Sequence, residues 1–92
     1  MTPRWESSTE KHGVPQGDAI HAMLHATFTA PLADRGDGSI DRLYIGPAHA
    51  QTAREIEVIV QVWEDGSGRE AKVFHVMPLG PKFRKLREEN QS

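Results

Sequence analysis

The chain has no cysteine, which excludes disulfide staples and thiolate metal sites. It has no apolar run near the ~20 residues that a membrane-crossing helix requires. It has no internal repeat and no low-complexity stretch, so neither a repeat architecture nor an interdomain linker is expected. Nor does one charge dominate. Lys and Arg total 11 against 13 Asp and Glu, for a formal net charge of −2 and a pI of about 6.2. That balance argues against sequence-independent coating of nucleic acid, which needs a broadly basic surface. The opening stretch, Met1 to Glu6, is polar and no apolar segment follows it. It reads as no secretory signal, and a cytoplasmic location is expected.

What is present fits one small domain over residues 1–92. Hydrophobic residues make up 37% of the 92, enough for a thin core, and 26% are charged. Without staples, such a domain depends on packing or on a partner. Ser7 to His12 reads as a short helix stopped by Gly13. Asp18 starts a second helix to about Ala26, with Ile20, Met23 and Leu24 at helical steps on its expected inner face. Four strands follow: Thr27 to Ala33, Ile40 to Gly46, Arg54 to Glu64 and Arg69 to Met77. Pro31 makes the first an edge strand. The third is the clearest, with Ile56, Val58, Val60 and Val62 in strict alternation. Pro81 then opens a helix from Lys82 to Asn90.

Short connections make the sheet antiparallel, giving an α+β fold with two N-terminal helices, a four-stranded sheet and a C-terminal helix. Helices on one face would leave the other displaying Arg42, Tyr44, Gln61, Trp63 and His75. Cations, aromatics and a histidine together suit base stacking and phosphate contact. A half-solvated sheet face explains the same pattern without a ligand. Lys82, Arg84, Lys85 and Arg87 concentrate charge at the last helix, which fits contact with a specific anion. The alternative is a solvated face with Arg84 paired to Glu88.

Glu10-Lys11-His12-Gly13-Val14, with Trp5 upstream and the Asp18-Ala19-Ile20 helix after it, resembles the opening of BrnT-type toxins. Leu43-Tyr44-Ile45-Gly46 and Glu57-Val58-Ile59-Val60 resemble their central strand pair. Val73-Phe74-His75-Val76-Met77-Pro78, then Pro81-Lys82-Phe83, resembles the closing strand and helix of an actinobacterial variant. The similarity runs from about Trp5 to Leu86. It implies a RelE-like fold and an RNA-cleaving toxin of a type II module that is silenced by a cognate antitoxin. Cleavage in such toxins uses the 2′-hydroxyl as nucleophile and no metal or other cofactor, and a homodimer is compatible with it. The last helix here lacks the family's early acidic residue, since Glu88-Glu89 come late. Only the positive charge at its start therefore carries over, onto Lys82 and its neighbours.

Several residues bear on that chemistry. His75 is the candidate acid or base, because an imidazole can shuttle a proton in phosphodiester cleavage; a packed histidine between Val73 and Met77 is the alternative. Lys82, with Arg84 and Lys85, is the candidate for phosphate charge, and Arg42, Tyr44 and Trp63 for RNA contact. Glu57 serves as a base only if it faces open solvent. His21 and His25 have metal-ligand spacing but no acidic residue between them, so no metal is expected. A non-catalytic RelE-like module that binds RNA or protein is the second reading.

Overall fold

The computed structural model describes residues 4–90. Met1 to Pro3, part of the stretch read for a secretory signal, lie outside them, and the expected domain of residues 1–92 extends past them at both ends. The elements run β1 (Arg4–Trp5), a short 3-10 helix (Ser7–Glu10), α1 (Gln16–Leu24), β2 (Phe28–Asp34), β3 (Ser39–Pro47), β4 (Glu55–Trp63), β5 (Lys72–Pro78) and α2 (Pro81–Glu89). No helix among the described residues is long and apolar enough to cross a membrane. The α+β class expected from the sequence is present, and β2 to β5 lie within three residues of their expected bounds.

The sheet corrects the expectation in two ways. It has five strands in the order β1-β5-β4-β3-β2, and it is mixed, because β1 runs parallel to β5 through Arg4↔Lys72 and Trp5↔Val73. Two residues are too few for strand periodicity to reveal, and their partner lies far along the chain. The first expected helix is a 3-10 turn, Ser7–Glu10, rather than an α-helix, so one α-helix stands at the N-terminal end instead of two. Here Thr9 is buried and its hydroxyl bonds back to the Glu6 carbonyl at 2.7 Å, which favours a tight turn over propagation.

The helices also lie on both faces of the sheet, not on one. On the first face, Ile56, Val58, Val60, Val73 and Val76 pack with Ala19 and Ala22 of α1. Leu43, Ile45 and Ile59 on the second face pack with Phe83 of α2. Contact on the first face is close. A Cβ on Gly46 of β3 would strike the Ala22 backbone carbonyl, so the pairing of Gly46 with small helix residues sets the distance. That explains why α1 turns Ala19 and Ala22 inward while Leu24, expected inside, is 76% exposed. Large side chains on that stripe would hold the helix off the strand.

β5 contains one irregularity that decides where His75 points. Ile59 pairs with His75 but Val60 pairs with Val73, so Phe74 is an extra residue in a bulge. Val73 and Val76 both join the first core, and Phe74 packs on the second. On a regular strand, His75 would share the face of Val73. The bulge instead aims it at the second face with its partner Ile59. The Ser8 hydroxyl, donating to the Phe74 carbonyl at 2.7 Å, ties the bulge to the 3-10 helix.

Candidate functional site

The second face carries buried polar groups as well as a core. Glu57 of β4 is 3% exposed, although it is a carboxylate within a sheet. A buried charge is costly unless it is bonded, and here both oxygens are engaged. Oε2 meets His75 Nε2 at 2.7 Å, and Oε1 accepts the Gly80 amide at 2.8 Å. Gly80 is the residue that caps α2, and it has no side chain to satisfy the helix start. Glu57 therefore serves as a remote cap placed at the positive end of α2. The same carboxylate fixes the imidazole of His75 and the origin of the C-terminal helix.

This arrangement sets the roles of the ring nitrogens. An ionised carboxylate only accepts, so Nε2 of His75 carries the hydrogen, and in the neutral ring Nδ1 is the nitrogen that keeps its lone pair. No hydrogen bond to Nδ1 occurs among the described residues. The ring is half-buried and stands edge-on to His12, with centroids 6.2 Å apart and planes at 68°. His12 follows the 3-10 helix, which packs on β5, so two imidazoles distant in sequence meet at one corner. Such a pair, one ring held by a buried carboxylate and the other exposed, can take one proton and give another.

His75 is thus in a site, while other expected members are not beside it. Arg42 and Tyr44 fall on the first face, because they pair with Val60 and Val58 and cross-strand partners share a face. Tyr44 packs against the first core, and Arg42 lies 3.6 Å from Glu64. The expected open face of Arg42, Tyr44, Trp63 and His75 is therefore split in two. Trp63 remains on the His75 face, toward the other end of β4. Lys82, Arg84 and Lys85 are exposed on α2. Lys82 holds its ammonium 5.3 Å from the Phe83 ring and lines a groove with Leu32 and Leu86. None of these three has an ion-pair partner among the described residues, so the alternative reading's Arg84–Glu88 pair is absent there. Arg87 instead pairs with Glu55 and locks α2 to β4. That bond raises the arginine's pKa above its ordinary value.

Sequence reasoning left out His12 and undervalued Glu57. His12 lay in the Lys-His-Gly-Val segment, but its chemical use depends on contact with β5. Glu57 lay in a nearly continuous apolar run, Ile56 to Val62. That is the pattern of a strand covered on both faces, and it argues that a charge inside it is buried and bonded. His21 and His25 stack at 4.3 Å, and His21 Nδ1 lies 3.0 Å from the Pro47 carbonyl. That is a structural contact, and no group of three or more metal-ligating side chains gathers among the described residues. Comparison with family models, characterised proteins and solved structures returns no match to this chain.

Proposed function

We propose that the chain is a metal-independent endoribonuclease of the BrnT-like toxin kind, with proton transfer at the Glu57–His75–His12 corner. The observation that carries this reading is the carboxylate-held His75 with a second imidazole at 6.2 Å. Nδ1 of His75 takes the proton of an RNA 2′-hydroxyl. The 2′-oxygen attacks the adjacent phosphorus, and the bond to the 5′-oxygen breaks. His12, protonated, returns a proton to that leaving oxygen. The products are a 2′,3′-cyclic phosphate and a 5′-hydroxyl end. Glu57 steadies the imidazolium that forms on His75, and Lys82, two residues past Gly80, offers charge to the phosphate. A cognate antitoxin would silence the corner by covering it.

The test is cleavage of a purified RNA by the chain in excess chelator, with the new ends mapped. Wild type is expected to leave 5′-hydroxyl ends, and His75→Asn to cleave ~100-fold to ~10,000-fold more slowly. Equal cleavage by the variant, or no cleavage by wild type, sinks the proposal. Binding without cleavage is the second reading. The basic and aromatic half of the same face favours it, and the same assay separates the two.

A further inference from the structure

The half of the second face that α2 leaves uncovered bears two shallow grooves. One, of about 440 Å³, is lined by Arg4, Trp63, Arg69, Glu70 and Lys72. The next, of about 330 Å³, includes Glu6, Ser8, Arg35, Gln61, Lys72 and Phe74 in its lining. Lys72 belongs to both, so the grooves join. Each holds a ring with a guanidinium over it: Arg69 is 5.8 Å from the Trp63 ring centroid, and Arg35 is 5.1 Å from that of Phe74. From Trp63 the track follows β4 toward Glu57, six residues or about 20 Å at strand rise. At its near end, Phe74 and Ser8 adjoin the bulge that aims His75.

The charges on this track do not follow the chain as a whole. Arg4, Arg35, Arg69 and Lys72 outnumber Glu6 and Glu70 on a protein whose net charge is −2. Two of the cations hold carboxylates, Lys72 with Glu6 at 3.2 Å and Arg35 with Asp41 at 2.8 Å. Both are pairs at a solvated surface, which a phosphate can displace. The Trp63 indole N–H is shielded and has no acceptor among the described residues. The ring therefore offers the groove a flat apolar surface and not a donor. Recognition there is by stacking, which every base supports.

We infer that this track binds single-stranded RNA, with Trp63 and Phe74 stacking on bases and Arg4, Arg35, Arg69 and Lys72 meeting phosphates. It leads the strand to the His75 corner. The role as a substrate track rests on the nuclease reading, whereas the binding itself does not. A duplex keeps its bases stacked on each other, so the two rings select unpaired strands.

The probe is a fluorescent single-stranded 2′-O-methyl oligonucleotide of about twelve nucleotides, within the length such grooves bind. It has no free 2′-hydroxyl, so cleavage cannot confuse the reading. Trp63→Ala is expected to weaken binding by tenfold or more. Arg69→Glu, at an exposed position, is expected to weaken it similarly. Each cation removed should flatten the slope of log affinity against log salt by about 0.7. Arg54→Glu, the same charge change on the α1 side, should leave affinity within about twofold. The inference is overturned by failure of wild type to bind, by unchanged affinity in Arg69→Glu, or by equal affinity for duplex. It is also overturned if polyglutamate displaces the strand at equal charge concentration, which would assign the surface to an acidic protein partner. Track-dependent binding without cleavage would leave the inference standing and remove the nuclease reading. Cleavage with unchanged binding in both track variants would do the reverse.

Discussion

The two faces of the sheet come from the same strands but are finished differently. On the first, α1 approaches through Ala19, Ala22 and Gly46, and the buried side chains of β4 and β5 are aliphatic. On the second, α2 seals one end with Phe83 and leaves the other end open. Its buried set includes Glu57, Gln61 and Ser39, with the Gln61 amide donating to the Ser39 hydroxyl at 3.0 Å. A face built for stability alone has no need of a buried carboxylate, which costs more to place than an aliphatic side chain. The first face holds the fold together, and the second gives part of its packing to polar groups that can act.

Phe83→Ala should have the largest effect on stability. Phe83 is 7% exposed and anchors α2 to Leu43, Ile45 and Ile59. Its truncation is expected to cost about 4 kcal/mol in urea unfolding, against roughly 5–14 kcal/mol in total for a domain this size. A loss below about 1 kcal/mol would mean that α2 adds little to the fold, and the contrast between sealed and open ends would fail. Gly46→Ala strikes the other face. The added methyl meets the Ala22 carbonyl, which is backbone and cannot turn aside. About 3 kcal/mol is expected. The same cost from either face would show that both contribute as core, whatever else the second one does.

Glu57→Gln separates packing from chemistry. The amide is nearly isosteric, but it presents one acceptor where the carboxylate presents two. Either His75 Nε2–H or the Gly80 amide then faces a donor. Stability should fall by about 2 kcal/mol. The proposed RNA cleavage, at a temperature where the variant is folded, should fall by more than tenfold, because His75 would lose its fixed tautomer and the charge that steadies its protonated form. If cleavage survives while stability drops, Glu57 is only the remote cap of α2, and His75 does not depend on it.

Much of this contrast was legible in the sequence, and the rest was not for identifiable reasons. The strands showed themselves because β4 alternates and its neighbours end in Gly, Pro or Asp. Pro31 correctly marked an edge, and β2 is one. The chemistry of an imidazole singles out His75 in the sequence, yet a regular strand would turn it toward the first face. Only the bulge at Phe74, which depends on register with β4, aims it at Glu57. Alternation within β3 alone groups Arg42 and Tyr44 with Trp63, because it carries no information on cross-strand partners. Once Tyr44↔Val58 is known, the assignment reverses. Ile59, which alternates out of phase with Val58 and Val60, is the apolar residue in β4 that points to a second core.

The smallest expected effect lies in the β2–β3 turn, at the open end of the second face. Asp37 accepts from the Ser39 hydroxyl and, at 2.9 Å, from the Ser39 amide, and these bonds hold its pKa below the ordinary aspartate value. A carboxyl whose folded pKa is depressed adds stability above its unfolded pKa of about 3.9 and loses it as pH falls through the lower folded value. Wild type should therefore exceed Asp37→Asn in urea midpoint at neutral pH. The difference should shrink only below about pH 4 and vanish once the folded carboxyl is protonated. Ser39 also receives the Gln61 amide, so the turn anchors the end of the proposed RNA track. If Asp37→Asn lowers the midpoint equally at neutral and acid pH, the carboxylate's charge is not what holds the turn. If it also leaves strand binding unchanged, the open end does not rely on this anchor for its shape.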